Sequence, residues 1–205
     1  MLFRSLRHLD IQNGRIAFRD ARTGAAHAAA AETLTAVRET GSDRTRVSMK
    51  GAVNRIPVDF SGQLLQPEPG LFRLEEIRLD ARPGEGAFTA TGRIDDLLAR
   101  KAALKVHLSA PSLPRLAALA GIRGLPEVGP VTASADLEIP DPATFRATSL
   151  TLAFQESDLE GSAALSLSGT RPRLEASLSS RRLDLRLPAL RPSVGTGGPD
   201  RKSVV

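Results

Sequence analysis

The sequence predicts a mainly β protein: a curved, twisted antiparallel sheet forming a repeating β-groove, with one short α-helix near residues 112–121. Three observations favour this fold. Apolar and polar residues alternate over most of the chain, turn-forming residues separate the alternating runs, and the pattern repeats. Alternation with a period of two is typical of half-buried strands, because successive side chains of a strand point to opposite faces.

The alternation is clearest in residues 104–108, where three aliphatic side chains share one face and Lys105 and His107 share the other. The alanines of residues 25–31 favour a helix by intrinsic propensity, but the alternation that follows through Leu34 and Val37 favours a strand. Further alternating pairs and triplets are Val47/Met49, Val58/Phe60, Ile77/Leu79, Leu137/Ile139, Leu150/Leu152/Phe154, Leu165/Leu167, Leu174/Ala176/Leu178 and Leu183/Leu185/Leu187.

Turn signals predict how these strands connect. Asn13-Gly14 lies between two alternating runs and predicts a two-residue hairpin, because type I′ turns need positive φ at both central residues. Pro83–Gly86 and Glu156–Asp158 predict two further tight reversals.

One segment departs from the β pattern. Ser112 can cap a helix, Pro114 suits a first turn, and Leu113, Leu116 and Leu119 fall on one helical face before Gly121. This spacing predicts a short amphipathic helix packed over an end or edge of the sheet.

The chain also repeats itself. Residues 71–116 and 144–186 share an order of strand, reversal, glycine-containing strand and strand, which aligns Gly92 with Gly161, Leu104 with Leu174 and Leu113 with Leu183. Repeated units with one apolar face are typical of elongated β arrays. An incidental β-meander is the alternative.

Composition excludes several kinds of function. The 28 basic residues are interleaved with 23 acidic ones, and aromatic residues make up only 3% of the chain, so neither a phosphate-binding patch nor a base-stacking platform for nucleic acid is present. Cysteine is absent, and His8, His27 and His107 lack metal-ligand spacing. With no catalytic or phosphate-binding motif, we expect no enzyme activity, no cofactor and no metal site.

Two expectations concern the ends of the chain. Residues 1–7 lack the apolar stretch of a signal peptide, and no run of about 18 apolar residues predicts a membrane-spanning helix. Residues 191–205 show no apolar periodicity, and we expect a disordered tail that is an artefact of sequencing or truncation. A genuine basic tail is the alternative. The β domain is then a fragment covering residues 1–190.

Several motifs resemble those of one family. Residues 9–24, LDIQNGRIAFRDARTG, resemble the I-x-N-G-x-I-x-Y-R-D-x-x-T-G run of the AsmA family, with Phe18 in place of the usual Tyr. Further similar stretches follow in the same order as in the family: Asn54–Pro57, Gly92–Ile94, Leu125–Pro130, Ser157–Ser162 and Gly169–Leu174. The resemblance covers residues 6–190.

This resemblance implies a bacterial envelope protein that is anchored in the inner membrane by an N-terminal helix and projects into the periplasm. That helix is not in this chain. Members of the family are implicated in outer-membrane assembly and phospholipid transfer, and they resemble bridge-like lipid-transfer proteins built from repeating β-grooves. The implied partners are phospholipid and, through the absent helix, the inner membrane.

Combined with the alternation, the resemblance predicts an apolar groove that shields lipid acyl chains without catalysis. A soluble β-sandwich binding or structural module with a closed core is the alternative, because sandwich strands alternate in the same way. The predicted lining residues are Val58, Phe60, Ile77, Leu79, Leu104, Val106, Leu108, Leu150, Leu152, Phe154, Leu165 and Leu167.

Overall fold

A computed structural model describes residues 7–19, 26–112, 114, 129–169 and 171–182 of the chain. The described residues form eleven β-strands. In chain order these are β1 (His8–Arg19), β2 (Ala26–Arg38), β3 (Arg44–Val53), β4 (Ile56–Glu68), β5 (Leu71–Ala81), β6 (Ala87–Asp96), β7 (Lys101–Ala110), β8 (Val131–Asp141), β9 (Thr144–Phe154), β10 (Ser157–Ser166) and β11 (Arg173–Ser179).

Each strand pairs only with its neighbours in the sequence, so the order across the sheet is β1 to β11 without a crossover. All ten pairings are antiparallel. The result is one curved, unclosed sheet, which confirms the predicted fold class of a mainly β, antiparallel protein. Within the described ranges there is no second sheet packed against the first.

Most of the local predictions for strands and turns are confirmed. The alanine-rich segment is a strand, because residues 26–31 belong to β2. The reversal at Pro83–Gly86 joins β5 to β6, with Gly84 at φ 62° and the Gly86 amide donating to the Pro83 carbonyl. The reversal predicted at Glu156–Asp158 begins one residue earlier, at Gln155, and Ser157 already pairs with Phe154.

The hairpin predicted at Asn13-Gly14 is wrong. β1 runs through these residues without a turn, and both halves of β1 pair with β2: Leu9 with Ala36, and Arg15 with Ala30. Asn13 does take a left-handed conformation, at φ 56°. A single left-handed residue in a strand produces a local kink, whereas a type I′ turn needs two in succession.

Three predictions lie outside the described residues. Of the helix predicted near 112–121, the structure describes only Ser112 and Pro114. The alternating leucines of residues 183–187 and the tail of residues 191–205 are not described. In the ranges that are described, no helix is long and apolar enough to cross a membrane.

Irregularities near the middle of the strands bend the sheet. The register shifts beside Glu32 in β2, Gly62 in β4 and Glu76 in β5, and again beside Ser149 in β9. Glu76 and Ser149 take left-handed conformations, at φ 51° and 49°. Such bulges bend a strand and increase its twist. Because they recur near the strand midpoints, the sheet bends along a line that crosses the strands.

Two glycines show the predicted repeat in the structure. Gly92 in β6 and Gly161 in β10 have φ values of 145° and 155°, and a Cβ on either would overlap a backbone carbonyl of the next strand. Each pairs with the residue that follows a left-handed bulge, Ile77 and Leu150 respectively. The alignment of Leu104 with Leu174 is four residues out, because Gly92 pairs with Leu104 whereas Gly161 pairs with Leu178.

Candidate functional site

One face of the sheet is apolar from β1 to β11. Directly paired residues of antiparallel strands point to the same side of a sheet, so the registers show which side chains share a face. One row across the sheet runs from Phe60 through Leu79, Ala90 and Val106 to Ala135. We call this side the apolar face. Its larger residues include Leu34, Met49, Val58, Phe60, Ile77, Leu79, Phe88, Leu104, Val106, Leu108, Leu137, Leu150, Leu152, Phe154, Leu159, Leu165, Leu174 and Leu178.

Eleven of the twelve predicted lining residues lie in strands and share the apolar face. Leu167 differs, because β10 ends at Ser166. The Leu167 amide donates to the Ala143 carbonyl at 2.7 Å, and the residue is 45% exposed in the turn that follows β10. The structure therefore does not bring Leu167 together with the other eleven.

The apolar face is open in the described part of the chain. Val58 and Ile77 are buried, at 8% and 6% exposure, but most of the other lining residues are only half-buried. No large side chain of the described residues is fully buried. A closed sandwich would bury large side chains between two packed sheets. These side chains are instead half-buried by their neighbours on one curved, unclosed sheet, and we call the apolar face of this sheet the trough.

Small and large side chains alternate from strand to strand along the middle of this trough. Ile77 of β5 lies between Gly62 of β4 and Gly92 of β6; a Cβ added at Gly62 would lie 3.7 Å from Ile77 Cγ1 and 3.4 Å from Phe60 Cζ. The glycine thus leaves room for both side chains to lie across the strand. Small residues of this kind on the even-numbered strands are Gly62, Ala90, Gly92, Ala133, Ala135, Gly161 and Ala163.

The opposite face is polar. Lys105 Nζ lies 4.0 Å from Asp136 Oδ1 across β7 and β8, and the hydroxyls of Ser134 and Thr151 are 2.6 Å apart across β8 and β9. His107 pairs with Ser134 on this side. Exposed ion pairs of this type contribute little to stability, at most about 1 kcal/mol each. These polar side chains show that this face of the sheet is the one in contact with water.

No catalytic constellation forms among the residues that the structure describes. Within those ranges, no three His, Cys, Asp or Glu side chains come together in a group that could hold a metal ion. Among the described residues, two carboxylates have a lowered pKa: Asp141, which stabilises the β8–β9 turn, and Asp158, which binds residues 180–182 at the end of β11. The backbone amide of Ala143 lowers the pKa of Asp141, chiefly by donating to it at 2.8 Å.

Asp158 fastens the end of the last described strand. Its Oδ1 accepts hydrogen bonds from the Arg182 amide at 2.8 Å, the Arg181 amide at 3.1 Å and the Ser180 hydroxyl at 3.2 Å. The bond from the Arg182 amide is the main cause of the lowered pKa of Asp158. Arg182 also forms an ion pair with Glu156. This cluster holds the chain against the start of β10 where β11 ends.

The lowered pKa of Asp158 has a consequence for stability at low pH. A carboxylate whose pKa is lower in the folded state stabilises that state above its ordinary pKa of 3.8, and the contribution is lost as the pH falls through the folded value. We expect hydrogen exchange at the Arg181 and Arg182 amides, relative to intrinsic rates, to accelerate below pH 3.8. Asp158→Ala should show the same rapid exchange at neutral pH, and Glu160→Ala, on the same strand, should not. Unchanged exchange in Asp158→Ala would contradict this role.

The prediction of lining residues missed the small members of the apolar face and several large ones. Ala90, at 2% exposure, is among the most buried residues, and Phe88, Leu137 and Phe145 share the face with the predicted set. The signal that could have found them is the same alternation with alanine counted as apolar.

Comparison of the chain with protein-family profiles, with curated protein sequences and with solved structures finds no match.

Proposed function

We propose that this chain is a non-catalytic segment that shields phospholipid acyl chains in its apolar trough, as part of lipid transport or outer-membrane assembly in a bacterial envelope. The observation that carries the proposal is an apolar face that continues across eleven strands and that no second sheet covers in the described ranges. A polar face on the other side of the same strands suits contact with water.

The energy of such a function comes from the hydrophobic effect. Each methylene that is removed from water contributes about 0.8 kcal/mol, so exposing the two chains of a phospholipid costs roughly 20 kcal/mol or more. Aliphatic side chains remove this penalty without fixed hydrogen bonds, which leaves a bound lipid able to slide. No catalytic group is needed for this activity.

The dimensions of the trough suit an acyl chain. The length of strand between a bend near its midpoint and its end is about five residues, or roughly 17 Å at about 3.3 Å per residue. One leaflet of a bilayer has a hydrocarbon thickness of roughly 15 Å, half of the whole core. The half of a strand on one side of the bend is therefore long enough to cover an acyl chain that lies along it.

The cellular setting in the proposal follows from the resemblance of residues 6–190 to the AsmA family. On that basis we place the segment on the periplasmic face of the inner membrane. The trough itself supports only the chemical part of the proposal, which is the binding of apolar chains.

A photo-crosslinking experiment tests that chemical part. With a photoreactive amino acid at Val106, Leu152 or Leu165, we expect capture of phospholipid, measured by mass spectrometry after incubation with phosphatidylethanolamine in mild detergent. The same amino acid at Lys105, His107 or Thr151 should capture severalfold less, because these side chains point to the polar face. Equal capture on both faces, or none on either, would contradict the proposal and favour the closed β-sandwich module.

A further inference from the structure

The last described strand has an edge that no described residue covers. β11 pairs with β10 on one side, and none of the described residues pairs with its other side. All seven of its residues are exposed. Every second residue of such a strand presents its backbone N–H and C=O groups away from the sheet, where they can pair with another strand. Proteins usually protect edges of this kind with lysine, proline or a bulge.

β11 has none of these protective features, whereas the first strand of the sheet is kinked. The register of β11 against β10 runs without a shift, no residue of β11 has a positive φ, and its sequence, RLEASLS, contains no lysine or proline. Its two charged residues pair with each other, since Arg173 Nη2 lies 2.6 Å from Glu175 Oε1. In β1, by contrast, the left-handed Asn13 interrupts the strand near its middle. The edge at β11 is therefore the one better suited to pairing.

The apolar side of β11 is complementary to itself. If two copies of the strand pair antiparallel about a two-fold axis at Ala176, the two sheets continue with their apolar faces on the same side. Leu174 of each copy then faces Leu178 of the other. These leucines are 69% and 48% exposed, and Leu174 is the most exposed large apolar residue among those described. The pairing therefore covers both leucines of each copy.

The polar side of β11 suits the same register. Arg173 faces Ser179 of the other copy. Glu175 faces Ser177, so no like charges are opposed within the strand. Sliding one copy by two residues either places Glu175 opposite its own copy or moves Leu174 beyond the end of the other strand. A slide of one residue places apolar side chains opposite polar ones, so a single register is favoured.

We propose that two copies of this chain associate through β11, with the two strands antiparallel and centred on Ala176. The pairing forms about six to eight backbone hydrogen bonds and joins the two apolar faces into one. β11 of one copy cannot continue this antiparallel order against β1 of another, because β1 and β11 run in the same direction in the sheet. One pair of seven-residue strands is a small interface, so we expect a weak dimer, with a dissociation constant in the micromolar range or above.

Disulfide cross-linking tests the register. The chain contains no cysteine, so a single introduced cysteine reports on one contact. In the proposed dimer the two copies of residue 176 face each other with Cα atoms about 5 Å apart, a distance that a disulfide spans. We expect Ala176→Cys to form a covalent dimer under mild oxidation severalfold faster than Ser179→Cys. Residue 179 is also exposed, but its two copies lie about six positions apart along the strands, or roughly 20 Å.

Substitutions at Ser177 test the pairing without a cysteine. Ser177→Lys places a cation opposite Glu175 of the other copy and should strengthen the dimer severalfold. Ser177→Glu places like charges opposite each other at the same two contacts and should weaken the dimer by a similar factor. Sedimentation velocity at protein concentrations up to about 1 mM gives the dissociation constants, and thermal melting verifies that each variant is folded.

Three results would overturn the proposal: a wild-type chain that stays monomeric over this concentration range, equal cross-linking of the two cysteine variants, or a change of association in the same direction in both Ser177 variants. A monomer in which Ala176→Cys does not cross-link would mean that another segment of the chain covers this edge. None of these measurements involves lipid, so their outcome is independent of phospholipid capture at Val106.

Discussion

Replacing Leu152 with Asp is expected to lower the affinity of the trough for phospholipid by roughly 30-fold or more. Leu152 lies on the apolar face, where it pairs with Ala133 on one side and Leu159 on the other. The substitution removes an aliphatic contact of about 2 kcal/mol and places a carboxylate where acyl chains would lie, at a further desolvation cost. Binding of a fluorescent phosphatidylethanolamine, measured by titration, gives the affinities.

The adjacent residue of the same strand provides the control. Thr151 points to the polar face, where its hydroxyl contacts that of Ser134. Thr151→Asp adds the same charge one residue away and should leave lipid affinity within about twofold, since surface substitutions of this kind typically change free energies by under 0.5 kcal/mol. Because Leu152 is only half-buried, both variants should remain folded, which thermal melting can verify. Equal affinity loss in the two variants would exclude the apolar face as the lipid site.

The sequence predicted the fold class and the parity of the strands well, for a specific physical reason. A period of two assigns every second side chain to one face, and the pairings of β5 to β10 preserve that assignment from strand to strand. Val106 and Leu152, which the alternation predicts to point to one face, share a face in the structure. No long-range information was needed for this step.

The bends of the sheet could not be predicted in this way. Glu76 and Ser149 adopt left-handed conformations inside strands, and neither residue type signals positive φ. Asn13 does signal it, but the same signal is compatible with a hairpin turn or with a kink in one strand. Which of the two forms depends on whether the flanking segments pair with each other or with β2, and that choice is made by residues far away in the sequence.

The prediction of the candidate site was incomplete, and the reason is related. Selecting large aliphatic residues finds the side chains that would touch a ligand, but it overlooks Ala90 and Gly62, which make room for them.

The bend itself can be tested at Gly92, where a side chain should destabilise the sheet more than at any exposed turn. A Cβ at this position would overlap the Ala103 carbonyl oxygen and lie 3.0 Å from Leu104 Cα, and φ is 145°. Left-handed or mirror-β conformations alone cost a non-glycine residue about 1–3 kcal/mol, and the overlap forces β6 and β7 apart. We expect Gly92→Ala to lower the free energy of unfolding by roughly 3 kcal/mol or more, measured by urea denaturation.

A substitution at Gly41 distinguishes the cost of a positive φ from the cost of the overlap with β7. Gly41 also has a positive φ, 76°, but it lies in the β2–β3 turn with no atom within 4 Å of an added Cβ. Gly41→Ala should therefore show only the conformational cost, about 1 kcal/mol. The difference between the two variants measures how closely β6 and β7 approach at the bend. If Gly92→Ala is no more destabilising than Gly41→Ala, the strands are not held together there, and the trough does not depend on that glycine for its curvature.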